Sequence, residues 1–280
     1  MPEMPEVESI VSGIRDFIEN RKIIDVKIIK GDVIKTPTQE EYKNLLIGKT
    51  IHSLKRKGKY IIMQLDDEYL NIIHLRMTGK LLYTKKVDEI DKYSCIIYYL
   101  DNGDKLIYAD IRRLGTLDLV LTKDLSKIKG LYTLGAEPLS TEFTTTYLVK
   151  HLAKAKGKIK PWLLTQKNIA GLGNIYVDEA LAISKIHPER MANSLDDKEI
   201  ENLYNAINLV IREGIKDGGT SFRDYRNGLG EKGQHQDKLY VYNREGKPCK
   251  FCHNLIKKIV LNGRGTHFCP NCQRLVKDNK

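Results

Sequence analysis

The sequence predicts an α+β protein: an N-terminal β-sandwich that begins with a helix, a C-terminal helical domain, and a cysteine-bearing hairpin at the end. Three observations lead there. Between residues 23 and 121, short β-type apolar runs succeed one another, several separated by turn residues, as in a sandwich or barrel. Beyond about residue 140 the apolar residues return at every third or fourth position, the spacing of helices. Near the C-terminus two Cys-x-x-Cys pairs flank a short β-type stretch.

Taken in order, Val7, Ile10, Val11, Ile14 and Ile18 lie on one face of a helix predicted over 6–19. Strands are predicted at 23–29, 51–54, 60–65, 69–75, 81–83, 95–100, 105–108 and 116–121, with hairpin turns at 66–68 and 101–104. A short helix at 40–47 would end at Gly48. Cys95, inside an apolar run, reads as a core residue. Tyr147, Leu148, His151 and Leu152 mark one later helix, Lys160-Pro161 opens another, and 175–186 forms a third. A further helix runs to about Arg212, with Ser194 as its cap and Asp197 completing a capping box. Residues 217–237 are polar and glycine-rich, a loop of functional or disordered length. The predicted domains are 1–130, 131–240 and 241–280.

The chain has 280 residues, 41% of them hydrophobic, enough for two domains and a core. Its net charge of +11 and pI of about 9.2 suggest a polyanionic partner, most often nucleic acid. No apolar run reaches the roughly 18 residues of a membrane span. The acidic N-terminus lacks a basic-then-apolar signal, so secretion and membrane attachment are not expected.

Cys249, Cys252, Cys269 and Cys272 have the spacing of a closed four-thiolate zinc site, structural because no coordination position stays open. Redox cysteines are the alternative. The intervening hairpin carries Arg264 between two glycines, where a guanidinium can approach a phosphate closely. Gly171-Leu172-Gly173-Asn174 opens a helix whose backbone N–H groups suit a phosphate, although an ordinary helical hairpin fits the same residues. His74-Leu75-Arg76-Met77 and Asp110-Ile111-Arg112-Arg113-Leu114 each place an apolar residue beside arginines, as wedges into a base stack do. Pro2, once Met1 is trimmed, would present a secondary amine beside Glu3. An α-amine has a pKa near 8, so much of it is neutral and nucleophilic, and a neighbouring carboxylate can move protons. The plainer reading of Pro2 and Glu3 is a helix start.

Together these motifs resemble the formamidopyrimidine-DNA glycosylases, bacterial repair enzymes for oxidised purines. The resemblance spans the chain. It runs through Pro2-Glu3-Met4-Pro5-Glu6, Lys57-Gly58-Lys59-Tyr60, His74–Met77, Asp110–Gly115, Leu134–Leu139, Ile159-Lys160-Pro161, Gly171–Tyr176, Ile186-His187-Pro188 and Gly263–Pro270. It implies a helix–two-turns–helix domain after the sandwich, and a damaged DNA duplex clamped between the lobes. It implies that Pro2 attacks the sugar C1′ as a Schiff-base nucleophile and that Glu3 handles protons at the ring oxygen. Lys59 would act in catalysis and on a phosphate, and Arg264 would assist the second of two eliminations. Met77, Arg112 and Leu114 would fill the gap left by the flipped base, while His74, Arg113, Lys160 and Asn174 hold the DNA backbone. Residues 217–237 would close over the extruded base. A monomer in the bacterial cytoplasm is expected.

The chain departs from the family at Leu114, often Phe, at Thr78, Glu in some members, and at Lys92-Tyr93, where a His-containing stretch is usual. The nearest alternative is an endonuclease VIII-type glycosylase for oxidised pyrimidines, which shares Pro2 and Glu3. The other is a non-catalytic zinc-ribbon DNA-binding protein, which needs neither residue.

Overall fold

The computed structural model describes residues 1–85 and 92–275. Two compact units make up the chain. The first is Met1–Thr133 together with Ile215–Gln236, and the second is Leu134–Gly214 together with the chain from Asp237 onward.

The first unit opens with α1 (Met4–Ile18), followed by β1 (Ile23–Ile28), β2 (Ile34–Thr36) and α2 (Gln39–Leu46). Then come β3 (Ile51–Lys57), β4 (Tyr60–Leu65), β5 (Tyr69–His74), β6 (Gly79–Thr84), β7 (Ser94–Leu100), β8 (Lys105–Asp110), β9 (Thr116–Leu121) and the single turn α3 (Lys129–Tyr132). Two sheets form, ordered β1-β7-β8-β6 and β2-β9-β5-β4-β3. The short strand β2 was not predicted, because three residues show no readable alternation. It pairs parallel with β9, whereas the other paired strands are antiparallel.

Each sheet leaves two edges, and the helices cover them. α1 packs on β3 and β6, one edge of each sheet, and α2 packs on β1 and β2, the other edge of each. An uncovered edge is a template for another chain, so this arrangement also keeps the sandwich single. The apolar face read from the sequence, Val7, Ile10, Val11, Ile14 and Ile18, is fully inside and shares one core with residues of both sheets, Cys95 included. Buried polar groups in that core are paired: the Tyr42 hydroxyl lies 2.6 Å from that of Tyr98 and 3.0 Å from Asn71 Oδ1.

The second unit holds α4 (Thr145–Leu152), α5 (Ile159–Leu164), α6 (Asn174–Ile183) and α7 (Asp197–Lys216), then the hairpin of β10 (Lys257–Leu261) and β11 (Arg264–Phe268). The cap of α7 is Asp196, not Ser194. The Asp196 carboxylate accepts from Glu199 N at 2.7 Å and Glu199 Oε2 accepts from Asp196 N at 3.1 Å, while the Ser194 hydroxyl serves Arg190.

The compact units divide the chain differently from the predicted domain limits. Residues 215–236 group with the sandwich, and the hairpin groups with the helices of the second unit. The first follows from contacts across more than two hundred residues. Glu6 Oε1 accepts from Thr220 N at 2.7 Å, and the Tyr225 hydroxyl donates to Glu6 O at 3.2 Å. The backbone N–H of Tyr83 on the edge strand β6 donates to Gly228 O at 2.8 Å. Gly228 lies so close to α1 that a Cβ there would overlap Ile14.

Candidate active site

The N-terminus of α1 is the first part of the site. Met1 is exposed whereas Pro2 and Glu3 are buried, Glu3 at 4%. Glu3 caps α1 in a capping box, with its own N–H donating to Glu6 Oε2 at 2.8 Å. Glu6 therefore holds Glu3 with one oxygen and the 217–237 segment with the other. The helix-start reading of Pro2 and Glu3 holds, and the cap fixes both residues at a buried point.

Strand register brings the next residues to one end of the sandwich. Gly58, at a φ of +58°, opens the two-residue turn between β3 and β4, whose second residue is Lys59. Arg56 donates to Glu8 Oε2 at 2.7 Å, which ties this turn to the second turn of α1. Lys59 is only 6% exposed. Tyr60 pairs with His74, and His74 with Thr116, so the turns after β5 and before β9 lie at the same end as Lys59. His74 is buried with its edge against Tyr60. Burial, then the charges of Arg76 and Lys59, lower its pKa to about 3, so the ring is neutral. Its Nδ1 accepts from Arg76 N at 3.1 Å, which leaves Nε2–H as a donor.

The two turns that carry the wedge residues are knitted together by Asp110, itself buried. Asp110 Oδ1 accepts from the Thr78 hydroxyl at 2.5 Å and from Arg112 N at 3.1 Å. Its Oδ2 accepts from Gly115 N at 2.8 Å and from the Tyr108 hydroxyl at 3.3 Å. Met77, Arg112 and Leu114 thus stand exposed on adjoining turns. Arg76 and Arg113 adopt left-handed backbone conformations, φ +50° and +52°, which costs about 1 kcal/mol or more each and is commonest at functional sites. Arg113 is half exposed and shares its charge with Asp32 at 3.3 Å. Thr78, a departure at the sequence level, is a working part of this knot, since its hydroxyl also accepts from Arg112 N.

In the second unit Lys160, expected to hold the DNA backbone, lies inside the protein. Its side chain is 1% exposed, and its ammonium contacts Asp178 Oδ1 at 2.6 Å, Thr266 Oγ1 at 2.8 Å and Gly265 O at 3.1 Å. Its charge is thus met inside the protein by the Asp178 carboxylate and by two oxygens of β11. Asn174 opens α6 after Gly173, and its Nδ2 donates to Gly265 O at 2.8 Å. Arg264 is exposed at the end of the β10–β11 turn.

The four cysteine sulfurs lie within 4.8 Å of one another, with 3.5 Å between Cys252 and Cys269 and 4.0 Å between Cys249 and Cys272. Tetrahedral zinc with Zn–S near 2.3 Å calls for edges of about 3.8 Å. The donor set fits a structural zinc. Gln273 reinforces the knuckle, its Oε1 accepting from Cys269 N at 2.8 Å and its Nε2 donating to Ile186 O at 2.9 Å.

Sequence reading gave no role to Glu6 or Asp110, although both lie in its motifs, and missed Asp178 and Glu179. Glu179 is buried, and burial raises its pKa even though its carboxylate accepts from Tyr240, Val241 and Tyr242 N at 2.6–2.9 Å. Two adjacent acids inside the otherwise apolar stretch of α6 were the available signal.

Three family models match successive stretches. They are the Formamidopyrimidine-DNA glycosylase N-terminal domain over residues 1–117, the H2TH domain of the same enzyme over 134–226, and the zinc finger found in FPG and IleRS over 246–275. The formamidopyrimidine-DNA glycosylase of Desulforamulus reducens is 43% identical over 275 residues, covering 98% of this chain and 99% of its own. That of Pelotomaculum thermopropionicum is 42% identical, covering 98% and 100%. Among solved structures, a Lactococcus lactis FPG mutant in complex with Fapy-dG-containing DNA is 38% identical with a TM-score of 0.91, covering 98% of this chain and 100% of that one. The same figures hold for Lactococcus lactis Fpg in complex with DNA containing an abasic site. With matching models along most of its length and relatives above 40% identity over nearly all of it, the chain belongs to the formamidopyrimidine-DNA glycosylase family.

Proposed function

We propose that this enzyme removes oxidised purines from duplex DNA through the amine of Pro2 and then nicks the strand by β,δ-elimination. It is a base-excision-repair DNA glycosylase with AP lyase activity, and its partner is DNA carrying a damaged base. The carrying observation is the buried Pro2-Glu3 cap of α1, in the same unit as the sandwich end that presents Lys59, His74 and the wedge turns. A non-catalytic DNA-binding protein has no use for such a terminus.

In this reading the Pro2 nitrogen attacks C1′, the base departs, and Glu3 delivers a proton to the ring oxygen as the sugar opens. Lys59, nearly buried, acts on the phosphate beside the lesion, and His74 donates through Nε2–H. On the second unit Arg264 and Asn174 take the backbone. Relatives in solved complexes hold Fapy-dG, carbocyclic 8-oxo-G or an abasic site, which supports purine lesions as substrates. The reading includes a monomer working in the cytoplasm, where the chromosomal DNA of the bacterial relatives lies. No helix among the described residues is long and apolar enough to cross a membrane. Single-turnover excision from duplexes carrying 8-oxoguanine or an oxidised pyrimidine tests the substrate class. Faster excision of the pyrimidine would favour the endonuclease VIII-type alternative.

Met77 supplies a separate test. Flipping a base costs a few kcal/mol of unstacking, which an inserted apolar side chain partly offsets. Met77→Ala is expected to slow excision of a paired lesion about tenfold, the equivalent of roughly 1.4 kcal/mol. Nicking of a preformed abasic site should change less, because no base remains to be flipped. Equal losses on both substrates would reduce Met77 to a packing residue.

A further inference from the structure

We propose that the buried Lys160–Asp178 pair is a positioning device for Arg264, setting the tip of the zinc hairpin independently of the metal. The proposal rests on Arg264 being a phosphate contact, as read above.

The geometry converges on the residues next to Arg264. Lys160 Nζ reaches Gly265 O and Thr266 Oγ1 while paired with Asp178 Oδ1, and Asp178 Oδ2 accepts from His267 N at 2.8 Å. Asn174 Nδ2 adds a second bond to Gly265 O, and the Thr266 hydroxyl donates back to Arg264 O at 3.0 Å. Three consecutive residues of β11 are thereby fixed to α5 and α6. The nearest zinc ligand, Cys269, lies five residues beyond Arg264, a span of about 16 Å in extended chain. Zinc holds one end of β11 and this cluster holds the other. The β10–β11 turn, Asn262 and Gly263 at φ +47° and +72°, is exposed and leads directly into the residues of β11 that the cluster holds.

A buried ion pair is a poor source of stability, since desolvation of both charges can exceed their attraction. Its directionality is another matter. Replacing it by apolar groups of similar size would keep the packing but release Gly265 and Thr266 from defined partners. Position, then, is what the charges contribute here, and Asp178 is a positioning residue acting through Lys160 and His267.

A double-mutant cycle separates positioning from a merely structural role. The background variant is Lys160→Met with Asp178→Asn, which removes both charges together and keeps an amide oxygen for His267 N. Arg264→Ala is then made in the parent and in this background, and zinc content is confirmed for each protein. The readouts are DNA affinity, its salt slope, and the ratio of δ- to β-elimination product. In the parent, Arg264→Ala is expected to weaken binding about tenfold and to reduce the salt slope by roughly one unit. In the background variant the same truncation should cost no more than about twofold, because the guanidinium has already lost its aim. An undiminished loss in that background would overturn the positioning role while leaving Arg264 on the phosphate. No loss in the parent would overturn the phosphate contact itself, and the proposal with it. If the double variant does not fold, Thr266→Val tests the same idea by removing one ammonium acceptor. It should shrink the effect of Arg264→Ala with the ion pair intact, and a full effect would again refute the proposal.

Discussion

Protein that keeps any residue in front of Pro2 is expected to yield no borohydride-trapped complex with lesion DNA, whereas the trimmed protein should be linked through Pro2. The reason is electronic. With Met1 attached, the Pro2 nitrogen is a tertiary amide and has no basic lone pair. Trimmed, it is an amine with a pKa near 8, of which about a tenth is neutral and nucleophilic at pH 7, far more than for a lysine. The structure gives the reaction a protected place, since Pro2 and Glu3 are buried while Met1 projects into solvent where an aminopeptidase can reach it. Abasic-site nicking should fall by roughly 10³-fold or more, the scale on which loss of a covalent nucleophile acts. Pro2→Gly, which retains a terminal amine but not the ring that fixes its orientation, should fall between the two forms. Mass mapping of the trapped adduct decides the matter: an adduct on Lys59, or on any other lysine, would transfer the nucleophile's role away from Pro2.

Loss of zinc should have the next largest effect. Cys252→Ser is expected to lose bound zinc and, with it, DNA affinity by at least roughly tenfold, the equivalent of a charge-assisted contact of about 1.5–3 kcal/mol. Four thiolates this close, two of them buried, repel unless a cation joins them, so the knuckles around β10 and β11 open without the metal. The remainder of the second unit should stay folded, because α4 to α7 bury their own apolar residues. Metal analysis, DNA titration and a thermal melt on the same preparation give all three readings. Normal DNA binding by zinc-free protein would remove the hairpin from the binding surface.

How much of this could be read in advance depended on the range of each interaction. The helix α1, every strand of the sandwich but β2, and the cysteine knuckles are visible in sequence, because each is set by periodicity or by spacing within a few residues. The list of site residues came instead from resemblance to the family, and for most of them the elements expected to carry them are present. Lys160 shows where that information ends. A lysine at a helix start looks like a phosphate ligand, and only folding places Asp178 beside it and Thr266, over a hundred residues away, within 2.8 Å. Glu6 and Thr220 are separated even further, and their bond assigns the 217–237 segment to the sandwich. Asp110 joins two turns whose sequences give no sign of each other. The physical reason is common to all of them. Sequence pattern records which face of an element is apolar, but a buried charge is fixed by whichever partners the tertiary fold brings to it, and the penalty for leaving it unpaired makes those partners decisive. Composition and spacing pointed to the class of fold and to the metal site, while the chemistry proposed at the N-terminus came from resemblance to the family. Tertiary structure decided which cations face solvent and which are spent inside, and so which residues remain to meet DNA.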